Sequence, residues 1–404
     1  SFSIEGPSWS PDGNTIACPI ANFGEGIQQN IVVVNVSDGS QTTLLKQHWP
    51  SIGRVTWTEN GKGILMTARE PESLSAFGRQ VWFVSHPGGE AVRITNDLND
   101  YRGVTVSSDG QTIAAVQINQ ISNLWVAPAN DSGNVRQITF GSGSSDGIQG
   151  LAWTPDNKII YASNTSGKSD LWKIGFEGGN AQQLTTDSGN NTLPSISPDG
   201  SFIVFDAYRS GKGVGVWRMD SDGDNPKQLT FGQLDLDPQF TMSGLEIIFS
   251  SIRSGKRTLW RVSSDGGEPI QLLTALSEYP QVSPDGKWLA CSYRDETTGI
   301  PARYTVFPIS GGDPIAAFDI PTSPWRLVKW MPDGSALTYP VLSNGTANIY
   351  SQPLKGGTHK QITDFKANHI FAFDWSRDGK WLALARGLET REIVLISNFR
   401  EESG

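Results

Sequence analysis

A four-residue turn recurs nine times along this chain, at intervals of 42 to 49 residues. In its fullest form the turn reads Ser-Pro-Asp-Gly. Proline favours the second position of a type I turn, aspartate can accept a hydrogen bond from its own downstream backbone, and glycine accepts a positive φ. A repeat of this length that holds several short strands is typical of a propeller blade. The nine turns are residues 10–13, 58–61, 107–110, 154–157, 197–200, 241–244, 283–286, 331–334 and 376–379.

The residues around each turn alternate as strand residues do. A bulky residue, such as Trp9, Trp153 or Trp330, stands three positions ahead of the aspartate or its equivalent. The position before it is mostly small or polar, and the position before that is mostly apolar, so the period of two predicts a strand. A second strand follows the turn, a third contains Leu-Trp or Val-Trp, and a fourth ends on Gln-Ile-Thr or Gln-Leu-Thr. We therefore expect four antiparallel strands per repeat and few helices.

These three phrases together resemble the WD40-like repeats of TolB-like β-propellers. Similar repeats occur in the propeller domains of dipeptidyl-peptidase and acylaminoacyl-peptidase enzymes. Residues 392–400 are similar to the ends of propeller modules in bacterial signalling proteins, where an upstream kinase or winged-helix domain carries the output. The resemblance covers essentially all 404 residues. It implies an all-β propeller, an extracytoplasmic (periplasmic) location and membership of a larger chain or complex.

Nine complete hairpins favour a single domain, residues 1–404, that forms one ring of nine blades. The alternative is a seven-bladed ring from about Glu90 onward, in which residues 91–95 supply the fourth strand of the last repeat. Residues 1–89 would then be the remnant of a second ring. The last repeat lacks its own fourth strand after Phe399, so an earlier segment must pair with its edge. We favour the single ring, because residues 1–89 alone would leave long exposed edges.

Charge and composition exclude several partners. The net charge of −9 and the pI near 5.0 contrast with the basic footprint that nucleic acid requires. No apolar run approaches the roughly 20 residues of a spanning helix. Cys18 and Cys291 occupy the same position in different repeats, too far apart for a disulfide. We expect no nucleic-acid partner, no membrane insertion and no disulfide.

The sequence contains no convincing catalytic constellation. Residues 143–147 match Gly-x-Ser-x-Gly, but a nucleophile elbow joins a strand to a helix, whereas this match lies in a Gly/Ser-rich loop. His48, His86, His359 and His369 lack the spacing of a metal site. We therefore expect no enzyme activity, no metal and no cofactor. The alternatives implied by the resemblance are a substrate-gating propeller of a peptidase, which requires a hydrolase domain, and a TolB-related polysaccharide lyase, which requires converging histidine and acidic ligands.

An arginine recurs just after the second strand. A ring of guanidinium groups could clamp carboxylates or phosphates. The position also belongs to the repeat pattern of TolB-like propellers, so we favour a structural role in an ion pair with an aspartate of a neighbouring blade. These arginines are Arg69, Arg209, Arg253, Arg294 and Arg386.

The repeat topology predicts where a ligand would bind. The tight turns share one face of a propeller, and the longer, irregular loops lie on the opposite face, where binding usually occurs. Residues just ahead of each first strand would line the mouth of the central channel on that loop face, and aromatic and arginine residues dominate interface hot spots. We predict a non-enzymatic binding or sensing module for a protein, a peptide or a small polar ligand. The predicted ligand-binding residues are Tyr101, Arg102, Asp237, Tyr279, Trp325, Arg326 and His369.

Overall fold

A computed structural model describes residues 6–22, 28–70, 78–97, 99–141, 143–186, 189–209, 213–232, 234–298, 300–321 and 327–397. Within these ranges the chain is all β apart from one short 3-10 helix, Ser132–Asn134. The described residues contain no helix with the length and apolar character needed to cross a membrane. The chain divides into two compact units, which we call unit 1 (Ser1–Asn119 and Glu389–Gly404) and unit 2 (Gln120–Leu388).

Unit 1 contains three sheets. Sheet 1 consists of β1 (Ser8–Trp9), β2 (Thr15–Asn22), β3 (Gln28–Asn35) and β4 (Gln41–Thr43). Sheet 2 consists of β5 (Ser51–Trp57), β6 (Gly63–Arg69), β7 (Gln80–Ser85) and β8 (Ala91–Arg93). Sheet 3 consists of β9 (Asp100–Val106) and the first part of β10 (Thr112–Pro128); through β10 it is continuous with a five-stranded sheet that also contains β33 (Trp381–Ser397).

Unit 2 contains six sheets. Sheet 4 consists of β12 (Leu151–Trp153), β13 (Lys158–Ser163), β14 (Asp170–Gly175) and β15 (Gln182–Gln183), and sheet 5 of β16 (Asn190–Ile196), β17 (Phe202–Arg209), β18 (Gly213–Asp220) and β19 (Lys227–Gln228). Sheet 6 consists of β20 (Asp235–Phe240), β21 (Glu246–Ser251), β22 (Thr258–Ser263) and β23 (Ile270–Gln271). Sheet 7 consists of β24 (Leu276–Val282), β25 (Trp288–Arg294), β26 (Arg303–Pro308) and β27 (Ala316–Phe318). Sheet 8 consists of β28 (Lys329–Trp330), β29 (Ala336–Ser343), β30 (Thr346–Pro353) and β31 (Lys360–Gln361). Sheet 9 consists of β32 (His369–Trp375), the first part of β33, the last part of β10, and β11 (Arg136–Gln137). The expected four-stranded antiparallel sheets are confirmed.

Sheet 9 is completed by strands from two distant repeats. Its strand order is β11-β10-β33-β32. The ninth repeat contributes β32 and β33, the two strands nearest the axis, and the third repeat contributes β10 and β11, the two strands farthest from it. In the seven-bladed alternative, residues 91–95 supply the fourth strand of the last repeat. The structure does not show this pairing, because β10 and β11 complete the sheet of the last repeat. Strand β8 instead pairs with β7 of its own sheet, with Arg93 opposite Trp82. The hairpin connection between β7 and β8 is short, so this pairing loses less conformational entropy than pairing with the distant last repeat.

The six sheets of unit 2 close on themselves, because each packs on two neighbours. Sheets 4 and 5, for example, share a core that contains Ile160 and Phe205. The last junction joins Leu151 of sheet 4 to Leu124 and Ala385 of sheet 9. Nine blades in one ring are therefore not confirmed. The single-domain assignment of residues 1–404 stays a prediction, since β10 and β33 run through both units.

The repeated turn is held by the hydrogen bonds that its sequence predicts. The Ser283 hydroxyl donates to Asp285 Oδ1 at 2.6 Å and accepts the Trp288 N–H at 2.9 Å. The same carboxylate oxygen accepts the Lys287 N–H at 3.1 Å. The serine hydroxyl bond lowers the pKa of the Asp285 carboxyl. Equivalent serine–aspartate bonds recur in the turns at 10–13, 107–110, 197–200 and 376–379.

The closing Gln-Leu-Thr phrase also has a structural role. The Thr185 hydroxyl accepts the Leu171 N–H at 2.9 Å, and the Gln183 side-chain amide donates to the Thr185 carbonyl at 2.8 Å. These bonds attach a fourth strand of only two residues to the third strand. Polar residues at these positions therefore belong to the blade itself.

Arg253, one of the recurring arginines, packs within its own sheet. Arg253 donates to both carboxylate oxygens of Asp235, at 2.8 and 2.7 Å, and its guanidinium lies 5.1 Å from the ring centre of Trp260. All three residues belong to sheet 6, so this ion pair forms inside one sheet and not between blades as expected. Arg386 stacks on Phe365 at 3.9 Å, and burial lowers its pKa to about 10. These contacts are consistent with the structural role favoured above.

Candidate functional site: an axial cavity in unit 2

The innermost strands of all six sheets of unit 2 surround a small cavity of about 40 Å³. Each sheet contributes the middle of its first strand or the residues just ahead of it. The cavity therefore lies on the axis of the ring. Its wall consists of Ile148, Gly150, Leu151, Leu193, Pro194, Asp237, Gln239, Tyr279, Gln281, Leu327, Lys329, Phe371, Ala372 and Phe373.

The cavity wall has a polar arc and an apolar arc. The polar arc, formed by sheets 6, 7 and 8, contains Asp237, Gln239, Tyr279, Gln281 and Lys329. The apolar arc, formed by sheets 9, 4 and 5, contains Ile148, Leu151, Leu193, Phe371 and Phe373. Binding pockets commonly combine an apolar lining with a few placed polar groups that orient the ligand.

Three wall residues sit in an uncommon backbone conformation. Leu193, Asp237 and Tyr279 have φ values of 50°, 57° and 57°, and each precedes a proline. Proline lacks the N–H of a ladder bond, and the register of all three strands shifts at this point as in a β-bulge. A positive φ at a residue with a Cβ costs on the order of 1–3 kcal/mol, and such strain concentrates at functional sites.

Tyr279 is fixed through its backbone. The carbonyl oxygen of Tyr279 accepts a 2.9 Å hydrogen bond from the hydroxyl of Tyr304, whose side chain is fully buried. Burial raises the pKa of the Tyr304 hydroxyl well above its usual value, so this group remains a donor at physiological pH. The bond holds the bulge and thereby sets the position of the Tyr279 ring in the cavity wall.

Asp237 lies at the end of the polar arc that adjoins sheet 5. Its backbone N–H donates to Asp206 Oδ2 at 3.5 Å, and its own Oδ2 accepts the Ser250 hydroxyl at 3.3 Å. Asp206 is buried in the second strand of the neighbouring sheet 5. The site thus has two carboxyl groups on the side of sheets 5 and 6.

Lys329 places a positive charge elsewhere on the wall. This charge acts on Asp374 of sheet 9, whose pKa is raised by burial and lowered in part by Lys329. The two signs of charge therefore stand on different sheets. This arrangement suits a dipolar polar ligand rather than a simple ion.

Arg377 spans the turn side of the cavity. It occupies the proline position of the ninth turn, and its guanidinium donates to the Ser197 carbonyl at 3.0 Å and to the Pro198 carbonyl. Sheets 9 and 5 are both neighbours of sheet 4, so this side chain passes on the inner side of the sheet 4 turn, close to the axis. A ligand would therefore enter from the opposite, loop side.

The structure brings two of the predicted ligand-binding residues together, since Asp237 and Tyr279 both line the cavity. His369 begins β32, and its ring centre lies 5.8 Å from that of the wall residue Phe371. Trp325 and Arg326 lie outside the described residues.

Tyr101 and Arg102 belong to unit 1, and neither is part of this cavity. The Tyr101 side chain is only 4% exposed and packs in the core between sheets 2 and 3. Its hydroxyl donates to Asp97 Oδ2 at 2.7 Å, and burial followed by this bond raises its pKa to about 12. Arg102 pairs with Asp100 at 2.8 Å. The structure thus places Tyr101 in a core rather than on a recognition surface.

The sequence analysis did not single out Gln239, Gln281 or Lys329 as site residues. All three occupy the mostly small or polar position just before the bulky residue of the first strand. In sheet 4 the same position holds Ala152 and in sheet 5 Ser195. The change from small side chains to long polar side chains at this position is the sequence signal that could have identified these three residues.

The remaining sequence candidates have structural surroundings. Asp146, within the Gly-x-Ser-x-Gly match, accepts the Ser163 hydroxyl at 2.6 Å, and burial raises the pKa of its carboxyl. Both cysteines are free thiols. Among the residues that the structure describes, no three His, Cys, Asp or Glu side chains form a group that could hold a metal ion.

A ring of four-stranded antiparallel sheets around an axial cavity defines unit 2 as a β-propeller. The family described as the TolB beta propeller domain (PD40) matches residues 119–279, from the middle of β10 into β24. The resemblance of the repeats to TolB-like propellers is therefore confirmed.

Individual relatives agree with this match. A "Protein TolB homolog" of Chlorobium chlorochromatii is 32% identical over 161 residues, which are 39% of this chain and 34% of that protein. Its counterpart in Chlorobium luteolum is 26% identical over 136 residues, 33% of this chain and 31% of that protein. The alignments thus span about a third of these relatives. The crystal structure of TolB from Acinetobacter baumannii is similar with a TM-score of 0.44 and 15% identity, over 95% of this chain and 82% of that one.

Proposed function

We propose that this protein is a non-enzymatic binding module that binds a peptide segment of a partner protein over the mouth of the axial cavity of unit 2. The supporting observation is the divided wall, in which bulges place Asp237 and Tyr279 opposite an apolar arc. The amides of Gln239 and Gln281 can pair with peptide N–H and C=O groups, while Leu193 and its apolar neighbours accept side chains. A small polar ligand in the same cavity is the alternative.

The enzymatic alternatives receive no specific support from the described residues. A peptidase gate and a polysaccharide lyase were implied by the family resemblance, and neither is favoured by a particular contact in the cavity. A periplasmic location also belongs to this proposal and rests on the resemblance to TolB homologues.

A random peptide library displayed on phage tests the proposal. The library would be selected on the whole chain and then counter-screened on D237N and Y279N, which remove the charge and the ring. Asparagine tolerates positive φ, so both variants keep the bulge without added strain. We expect the selected peptides to bind at least about 30-fold more weakly to Y279N, the size of a 2 kcal/mol hot spot.

The matched control is F231A, because Phe231 is 82% exposed in unit 2 and is not part of the cavity wall. Peptides selected on the wild type should bind this variant equally well. Selected peptides that bind all three variants alike, or a library that yields no binder, would refute a peptide site in the cavity.

A further inference from the structure

The polar arc of the cavity wall contains hydrogen-bond donors without acceptors. Gln239, Gln281 and Lys329 stand on three neighbouring sheets, each at the position just before the bulky residue of its first strand. Within the ranges that the structure describes, none of these side chains makes a hydrogen bond or an ion pair. Gln281 is only 8% exposed, and its amide faces the cavity. A buried polar group without a partner is costly, so this wall indicates a ligand that accepts hydrogen bonds.

The other charged groups around the cavity already have partners. Asp237 Oδ2 accepts a serine hydroxyl of its own sheet at 3.3 Å, and Asp374 Oδ2 accepts a backbone N–H of sheet 4 at 2.9 Å. The Arg377 guanidinium donates to two carbonyl groups of the 197–200 turn. The Lys329 ammonium, by contrast, has no acceptor among the described residues. The unsatisfied charge of the wall is therefore positive.

Gln281 and Lys329 are held next to each other by an anchor between their sheets. The Trp330 indole N–H donates to the Gln281 carbonyl at 2.9 Å, and Trp330 directly follows Lys329. Both the indole and the Gln281 side chain are buried. This bond fixes the register between the first strands of sheets 7 and 8. The two donors are therefore preorganised at one level of the axis, which lowers the entropic cost of binding.

The volume of the cavity limits which group can reach these donors. About 40 Å³ is room for about three water-sized positions, since each needs about 10–15 Å³. A carboxylate group, with one carbon and two oxygens, is of this size. It is planar, and when ionised it only accepts hydrogen bonds, so it can receive an ammonium and amide N–H groups together.

We propose that the bound peptide segment places one carboxylate in the axial cavity, where Lys329 pairs with it and Gln239 and Gln281 donate amide N–H groups to it. This inference rests on the proposed function and names the chemical group that the site selects. The carboxylate belongs either to an aspartate or glutamate side chain or to the carboxyl terminus of the partner, because both present the same planar acceptor. Asp237, at the other end of the polar arc, disfavours a second carboxylate there.

Three pools of synthetic random heptapeptides test the proposal on the whole chain. The first pool contains aspartate and glutamate and has amidated carboxyl termini. The second lacks both residues and has free carboxyl termini, and the third lacks both residues and is amidated. Peptides retained by the immobilised protein are identified by mass spectrometry. We expect binders from the first pool if the carboxylate is a side chain, from the second if it is a terminus, and none from the third.

The best binder is then compared with its carboxamide form, in which only that carboxylate is replaced, by isothermal titration calorimetry. On the wild type the carboxamide form should bind at least about 30-fold more weakly. On K329M the two forms should differ by less than about threefold, because the charge that distinguishes them is gone. Q281L should weaken binding of the carboxylate form by about five- to tenfold. A packing role of Lys329 would instead weaken both forms alike on K329M, and that result would overturn the proposal.

K366M is the matched control for the loss of a positive charge. Lys366 lies in the connection between β31 and β32, and its side chain is 80% exposed. This variant should change the affinity of the carboxylate form by no more than about twofold.

The pools also separate this proposal from the function on which it rests. Binders from the third pool, or a carboxamide form that binds the wild type as tightly as the carboxylate form, would overturn the carboxylate assignment. If such binders weaken on Y279N, the proposed peptide site stands without it. No binder from any pool would overturn both.

Discussion

The Asp374 carboxylate accepts the backbone N–H of Trp153 at 2.9 Å, across 221 residues of sequence. The bond joins sheet 9 to sheet 4 and so lies at the junction that closes the ring of unit 2. The acceptor is a buried carboxyl group, and burial raises its pKa although the Lys329 and Arg377 charges act in the opposite direction. One buried titratable group therefore contributes to the junction that closes the ring.

Asp374 should make the closed ring less stable as the pH rises. Because its pKa is higher in the folded than in the unfolded chain, the folded state binds more protons, and stability falls as pH rises from the ordinary aspartate value of 3.8 through the folded pKa. D374N retains an acceptor for Trp153 and loses this dependence. Urea unfolding between pH 4 and 7 should show the wild type losing stability relative to D374N. A difference between the two that does not change with pH would contradict this prediction.

The repeated turn predicts the opposite pH dependence. The Ser197 hydroxyl, followed by the Ser201 N–H, lowers the pKa of Asp199 to about 2. The stabilisation is present above the unfolded aspartate value of 3.8 and is lost as pH falls towards 2. D199N should therefore differ from the wild type at neutral pH and converge with it in acid, by a small amount because the carboxylate is exposed. S243A in the 241–244 turn, which has no carboxylate, serves as a control whose effect should not depend on pH.

Trp330 should be a principal anchor between sheets 7 and 8. Replacement by alanine removes a buried indole and its bond to Gln281, and we expect a loss of about 3–5 kcal/mol in the free energy of unfolding. W330F keeps most of the apolar contact but leaves the Gln281 carbonyl without this donor, at a cost of about 1–3 kcal/mol. Denaturant unfolding measures both. F231A, at an 82% exposed position, should change stability by no more than about 0.5 kcal/mol.

Gly387 should tolerate no side chain. It lies where β33 passes β10, and a Cβ built there would stand 1.8 Å from the Ile121 carbonyl oxygen and 2.9 Å from Ser122 Cα. Backbone atoms cannot rotate away, so G387A must displace one strand, and we expect a loss of about 3 kcal/mol or more. G6A is the matched control, because a Cβ at Gly6 meets nothing within 4 Å. Equal melting temperatures for the two variants would show that the strands adjust freely.

The sequence alone determined the features that depend on contacts within one repeat. The turn bonds of Ser283 and Asp285, the closing bonds of Thr185, and the sheets formed by four consecutive strands all involve residues that are close along the chain. Their energetics are local, so residue type and spacing suffice. The same reasoning favoured a structural role for the recurring arginines, which stays a prediction, and it named Asp237 and Tyr279, which both line the cavity.

Only the tertiary structure decided how the repeats associate. Every repeat presents similar apolar faces, so the pattern allows a ring of nine, a ring of seven or two groups of sheets, and the packing angle between sheets selects among them. The third and ninth repeats share β10 and β33 because long strands can pair far beyond one repeat, which no local period reveals. Tyr101 and Tyr279 occupy similar sequence contexts, yet one is buried in a core and the other lines a cavity. The difference comes from the sheet that packs against each residue, and that neighbour is chosen by the folded chain as a whole.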